Sequence, residues 1–151
     1  MVFAVDLLGP KRLKVTCQQG LLVRLDFTDQ APNRNPLPLL QMAQEQLCEY
    51  LAGQRRLFTL PLACVGPPFF VKVWRELDAL PYGSHLSYAE LAAKAGSPKA
   101  SRAVGNAMKA NPLPLLRPCH RILPQGGDAA PGFSFGGPEV QRYLLRLEQS
   151  P

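Results

Sequence analysis

The stretch Ser87-Tyr88-Ala89-Glu90-Leu91-Ala92-Ala93-Lys94-Ala95-Gly96-Ser97-Pro98-Lys99-Ala100-Ser101-Arg102-Ala103-Val104-Gly105-Asn106-Ala107-Met108-Lys109 decides how the second half of this chain folds. Ser87 with Glu90 three residues on is a capping box, in which hydroxyl and carboxylate each satisfy a backbone N–H left free at a helix start. Gly96 stops that helix, Ser97 is placed to cap the next, and Pro98 suits its first turn. Helix, tight turn and basic helix make the helix-turn-helix pattern. The second helix is expected to run to about Ala110, carrying Lys99, Arg102 and Lys109 among small residues such as Ala103 and Gly105 that allow close approach to phosphates or a groove. Two packed core helices would share this pattern, so alone it leaves DNA binding open.

Upstream the periodicity changes. Val2 to Leu8, Leu13 to Gln18 and Leu21 to Phe27 read as strands, with Gln19-Gly20 as a hairpin break. From Pro36 to Leu51, Leu39, Met42, Ala43, Leu47 and Leu51 recur at helical steps, and Gly53 ends the run. A further strand is expected over Leu57 to Cys64, before Gly66-Pro67-Pro68, the best domain boundary. Beyond it a helix from Phe69 to Leu80 ends at Pro81-Tyr82-Gly83. The fold class is therefore α+β in two small domains. Residues 1–65 form a three- to four-stranded sheet with a packed helix, and residues 66–151 an all-helical domain carrying the helix-turn-helix.

Composition narrows the function. At 151 residues and 46% hydrophobic, the chain can bury a core, which argues against disorder. The net charge of +6 favours an anionic partner. Six basic residues (Lys94, Lys99, Arg102, Lys109, Arg117, Arg121) and no acidic one lie between Lys94 and Arg121, either a solvated face or a nucleic-acid footprint. The N-terminus lacks a secretory pattern, and the longest uncharged stretch, Leu57 to Val71, is interrupted by Pro61, Pro67 and Pro68. A soluble cytoplasmic protein without membrane contact is expected. The cysteines (Cys17, Cys48, Cys64, Cys119) show no paired zinc spacing, and no metal is assigned.

The chemistry concentrates in Asn111-Pro112-Leu113-Pro114-Leu115-Leu116-Arg117-Pro118-Cys119-His120-Arg121-Ile122. Pro112, Pro114 and Pro118 stiffen the approach to Cys119. Arg117, His120 and Arg121 surround the thiol with positive charge, which is expected to lower its pKa, and a base within reach would take its proton.

These residues resemble the O6-alkylguanine-DNA alkyltransferases, or methylated-DNA–protein-cysteine methyltransferases. The likeness rests on Ser87-Tyr88-Ala89-Glu90-Leu91-Ala92, Ser101-Arg102-Ala103-Val104-Gly105-Asn106-Ala107-Met108, Asn111-Pro112 and Pro118-Cys119-His120-Arg121-Ile122, in the family's order and spacing. Phe69, Val73-Trp74 and Pro81-Tyr82-Gly83 fit upstream, as do Leu144-Leu145 and Glu148 downstream. It is strong from about Gly66 to Glu148 and weaker before.

The resemblance implies direct-reversal DNA repair. A ribonuclease-H-like N-terminal domain would precede a winged-helix-like one that binds the minor groove of double-stranded DNA and flips out an O6-alkylguanine nucleotide. Cys119 would take the alkyl group once and irreversibly, with no cofactor. His120, through a water, would link it to Glu148. Tyr88 would protonate or hydrogen-bond the purine. Arg102 would fill the gap in the duplex, with Lys99, Ala103 and Lys109 also at the DNA. Asn111 would hold the turn before Cys119, and Arg121 would belong to the structural or substrate-pocket shell. In the loop from Leu123 to Gly137, Phe133 and Phe135 would wall the alkyl pocket, with Ser134 near the base. The protein would act as a monomer; O4-alkylthymine as a second substrate and self-association along DNA stay open. A non-catalytic lesion-recognition protein of this fold is the rival reading, but in such relatives the acceptor cysteine is replaced, and here Cys119 is present.

Overall fold

A computed structural model describes residues 1–150. Its first part is an antiparallel sheet in the order β1 (Val2–Asp6), β2 (Pro10–Gln18), β3 (Leu21–Phe27). Leu13 and Val15 of β2 face inward, and the register sets Leu13 opposite Phe3 and Phe27, and Val15 opposite Leu25, so one face is wholly apolar. Gln19 and Gly20 join β2 to β3 with φ of 52° and 78°, the pair of left-handed residues that a tight hairpin with native twist requires.

The fourth strand expected over Leu57 to Cys64 does not form. Pro61 has no N–H for a ladder, and pairing shrinks to one parallel bridge between Leu22 and Leu62. The first helix, α1 (Pro38–Leu51), buries Leu40, Ala43, Gln46, Leu47 and Tyr50. This face is turned from the one expected: Met42 is exposed and Leu39 and Leu51 lie on the flank. The rotation follows from polar tips that find partners inside. Gln46 exchanges hydrogen bonds with Thr59 at 2.8 and 2.9 Å, and Tyr50 reaches a buried carboxylate described below.

Four helices follow: α2 (Pro68–Asp78), α3 (Tyr88–Lys94), α4 (Ser101–Lys109) and α5 (Gly137–Gln149). The Ser87–Glu90 capping box is present, with both bonds at 3.1 Å. Helix α4 starts at Ser101 and not near Ser97, because Ala100 leaves helical geometry at φ −99°, ψ 31°; Lys99 therefore sits in the turn ahead of the helix. Nor is this half all-helical. Strand β4 (Leu86–Ser87) pairs in parallel with β5 (Ile122–Leu123), tying the start of α3 to the chain just after Cys119. At two residues each, these strands are too short to leave a periodic signal.

Two apolar clusters result. One joins the sheet and α1 to Leu113, Leu115, Phe135, Val140 and Leu144, so α5 and the approach to Cys119 are clamped on the N-terminal sheet. The other packs Val73, Trp74, Leu77, Leu91, Val104 and Ala107 around Cys119 and Ile122. The architecture is a small antiparallel sheet with helices, and among the described residues no helix is long and apolar enough to cross a membrane.

Candidate active site

Asn111 closes the proline-rich segment from both ends. Its side-chain carbonyl accepts from Leu113 N–H at 3.0 Å and its amide donates to Arg117 O at 3.0 Å. Within that closure buried Leu115 adopts φ 70°, a conformation costly for a branched residue and held only because its surroundings over-determine it. Arg117 is completely buried: it donates to Asp78 at 2.8 and 3.3 Å and to Ala63 O at 3.2 Å, and its guanidinium lies 5.5 Å from the Trp74 ring centroid. The arginine is thus a bolt beneath the segment that delivers Cys119 to a single 3₁₀ turn, Cys119–Arg121.

Cys119 lies on a cavity of about 200 Å³. Tyr88 forms one wall, Gly105, Met108 and Lys109 of α4 another, and Pro131 to Ser134 a third. A Cβ at Gly105 would meet no protein atom within 4 Å, so a bare backbone there leaves the cavity open toward α4. Burial pushes the thiol up to about 11, against the opposing pull of Asn111 and Arg117. The lowered value expected from nearby charges is therefore not found: desolvation outweighs them, because the nearby arginines are engaged with carboxylates. Burial also raises Tyr88, with Cys119 adding to the effect, so the phenol stays protonated.

Behind the thiol lies a buried polar network. His120 Nε2 is 2.7 Å from Glu148 Oε2. Arg121 grips both oxygens of Glu148, at 2.8 and 2.9 Å, and donates to Leu80 O at 2.7 Å. Gly83 N–H adds a bond to Oε1 at 3.1 Å, and the Tyr50 hydroxyl one to Oε2 at 2.5 Å. Burial would raise the Glu148 carboxyl, yet the bonds from His120 and Arg121 hold it well below the usual carboxylate range. His120 is pushed down by burial, Glu148 notwithstanding, so it is a neutral imidazole at neutral pH. Its Nε2 faces a carboxylate and carries the ring proton. Nδ1 is buried with no hydrogen-bond partner among the described residues and is left as the basic atom.

Most of the expected site residues converge. Cys119, Tyr88, Lys109, Phe133 and Ser134 meet at the cavity, while His120 and Glu148 pair behind it. Arg102 is exposed on α4 with Ala103 half-buried beside it, and Lys99 is exposed in the preceding turn. One assignment changes. Phe135 does not wall the pocket; it is buried in the first cluster and stacked on Phe27 at 4.2 Å, anchoring the loop to the sheet. Of the two roles open to Arg121 the structure shows the structural one, as counter-ion of Glu148 away from the cavity. With Arg117 paired internally too, only Lys94, Lys99, Arg102 and Lys109 of the six basic residues are exposed.

Sequence reasoning missed Tyr50, Asp78 and Gln141. Gln141 accepts from Ala130 N–H at 2.7 Å and donates to His120 O and Ile122 O at 3.1 and 2.9 Å, fixing the pocket loop to the Cys119 turn. Nothing local distinguishes these three from surface polar residues. Among the described residues no three His, Cys, Asp or Glu side chains gather as a metal group would require.

Comparison with known proteins gives a consistent picture. Residues 68–150 match the family model for the 6-O-methylguanine DNA methyltransferase DNA-binding domain. A constitutive methylated-DNA–protein-cysteine methyltransferase of Bacillus subtilis is 45% identical over 122 residues, covering 81% of this chain and 73% of that protein. A Haemophilus influenzae methyltransferase of the same name is 36% identical over 148 residues, covering 93% and 82%. The crystal structure of Mycobacterium tuberculosis OGT in complex with DNA superposes with a TM-score of 0.82 at 33% identity, covering 98% of this chain and 91% of that one.

Proposed function

The chain belongs to the 6-O-methylguanine DNA methyltransferase family, and from that premise we propose that it reverses alkylation damage in DNA by moving the O6-alkyl group of guanine onto Cys119. The observation that carries this reading is a cysteine on a cavity of about 200 Å³, backed by a neutral histidine with one ring nitrogen unpaired and the other held by a carboxylate.

The chemistry follows from those groups. A bridging water between Nδ1 of His120 and Sγ of Cys119 carries the thiol proton away, and Glu148 stabilises the imidazolium that forms. The thiolate attacks the alkyl carbon from the side opposite O6; the S–C bond forms, the C–O6 bond breaks, and its electron pair goes to the purine. Tyr88, kept protonated, supplies the proton that the leaving guanine takes. The proton taken up by His120 returns through solvent to the Tyr88 phenolate, so that overall the thiol exchanges its proton for the alkyl group. No cofactor enters this balance, and the stable thioether means one transfer per molecule.

DNA engagement is assigned to α3 and α4. A base stacked in a duplex is out of reach of a buried sulfur, so the nucleotide must be flipped into the cavity. Arg102, exposed on the helix that also lines the cavity, takes the vacated place in the stack, where a planar guanidinium serves better than an ammonium. Lys99 and Lys109 neutralise phosphates, and the small Ala103 permits close approach. Asn111 holds Cys119 in place, and Phe133 and Ser134 meet the alkyl group and the base. This reading takes residues 66–151 as a winged-helix-like DNA-binding unit, supported by the match over 68–150 and by β4–β5 beside α3–α4. It takes residues 1–65 as a ribonuclease-H-like unit, supported by the three-stranded order with α1 packed on it. The protein acts as a monomer on double-stranded DNA.

Intact and peptide mass spectrometry after incubation with a duplex bearing one O6-methylguanine tests the proposal. One added methylene on the Cys119 peptide, at no more than one per protein and absent in Cys119→Ala, is the expected result. Lesion-selective binding with no added mass would instead make the protein a recognition factor.

A further inference from the structure

Tyr50 is the one side chain from the N-terminal unit that reaches the His120–Glu148 pair. It stands in the last turn of α1, 98 residues from Glu148 in sequence, and is buried. Phe58 at 5.3 Å and Tyr82 at 6.1 Å, centroid to centroid, hold its ring. Its hydroxyl donates to Glu148 Oε2, the same oxygen that holds His120 Nε2.

The phenol has two possible effects on the imidazole, and the distances decide between them. Its oxygen lies 3.3 Å from Nε2, at the long end of any hydrogen bond, where accepting from the ring N–H would weakly favour the protonated imidazole. Its own proton is committed to Oε2 at 2.5 Å. A donor that close withdraws negative charge from the oxygen that stabilises the imidazolium, and the shorter contact dominates. The ionisable groups facing His120 are Glu148 from α5, Tyr50 from α1, and Arg121 and Cys119 from its own turn. Tyr82 lies beyond Tyr50 near the same carboxylate. Among them Glu148 is the main group favouring the charged ring, and Arg121 opposes it.

We propose that Tyr50 is a positioning residue for alkyl transfer: by sharing Glu148 Oε2 with His120 it restrains the proton affinity of the imidazole, so that the N-terminal unit helps set the base that activates Cys119. The relevance to transfer rests on the function proposed above; the effect on His120 does not.

Tyr50→Phe keeps the ring and removes the donor. Heteronuclear NMR titration of the full-length protein, with exposed His85, the other histidine, as internal reference, should show the His120 midpoint rising by about 0.5 to 1 in pH. Difluorotyrosine placed at position 50, a stronger donor of nearly the same shape, should move it down. In single-turnover transfer to an O6-methylguanine duplex, the acidic limb of the rate–pH profile should move in the same directions. A midpoint unmoved in both variants, or lowered in Tyr50→Phe, overturns the proposal, as does a slower rate with an undisplaced profile, the mark of a purely structural role. Should Tyr50→Phe fail to fold, the fluorinated protein decides alone. Wild-type protein that transfers nothing would refute the proposed function, while the titration would still judge Tyr50.

Discussion

Replacing Glu148 with glutamine removes one charge from a place where every lone pair is engaged. The carboxylate accepts from Tyr50 at 2.5 Å, His120 at 2.7 Å, Arg121 at 2.8 and 2.9 Å and Gly83 N–H at 3.1 Å. An amide has one acceptor oxygen, and its NH₂ would face donors. The largest loss is at Arg121, which is 7% exposed and would keep only Leu80 O. Removing one member of a buried pair costs about 3–5 kcal/mol, because the other charge is stranded. The lost bond to neutral His120 adds about 1 kcal/mol, and a surviving amide bond to Gly83 with some water entry at Arg121 offsets a similar amount. A net loss of about 3–5 kcal/mol is expected, which for a chain of this size lowers Tm by about 6–20 °C. Differential scanning calorimetry at pH 7.5, alongside urea denaturation, measures it. A fall below about 3 °C would mean that the pair is effectively hydrated and that Glu148 neither supports the fold nor is available to steady His120.

Arg102→Ala should slow transfer from duplex DNA at least tenfold while leaving reaction with free O6-alkylguanine base nearly unchanged; equal slowing on both substrates would count against a role inside the duplex. Phe135→Ala should cost about 3 kcal/mol in urea denaturation, the low end for a buried phenylalanine because a loop can partly collapse, and should reduce transfer per folded molecule as the Phe133–Ser134 wall drifts. A cost under about 1 kcal/mol would show that the stack on Phe27 does not anchor the loop. Wild-type stability should fall on acidification in two stages. The unfolded chain binds a proton at His120 from about pH 6.5 downward and at Glu148 from about pH 4.3 downward, while the folded protein resists both. The stabilisation is therefore complete above the unfolded values and lost as pH drops toward the depressed folded ones. Urea titrations between pH 4 and 8 giving a constant stability would refute the buried, neutral histidine.

The parts of this protein that could be read from sequence are those whose determinants are neighbours in the chain. The Ser87–Glu90 box, the Gln19-Gly20 hairpin and the rigid run into Cys119 each act over a few residues, and each is found where the residues place it. What failed depends on partners far away. Arg117 and Arg121 counted as basic footprint until Asp78, 39 residues back, and Glu148, 27 residues on, turned them into internal ion pairs. Pattern reading also put α1 on the wrong face, since it ranks Met42 above Tyr50 and Gln46; the hydrogen-bond partners that reverse the order lie on other elements. Glu148 itself was reached only through family resemblance, for nothing in its own surroundings separates it from a solvent-facing helix residue.

The same long-range pairing explains the thiol. Had Arg117 and Arg121 been free, two guanidiniums near Cys119 would have favoured a standing thiolate. With both neutralised by carboxylates, burial prevails, and a thiol pushed up to about 11 is ionised in only about one molecule in ten thousand at neutral pH. Such a sulfur is inert toward passing electrophiles and oxidants, which suits a protein that can react once. On the function proposed above, reactivity is supplied at the moment of encounter by His120, whose unpaired Nδ1 is the only base among the described residues that the network leaves unsatisfied. In that reading the strength of the base follows from Glu148 and the donors that share its oxygens, Tyr50 of α1 among them, so the nucleophile's activation would be tuned where the N-terminal helix meets the His120–Glu148 pair.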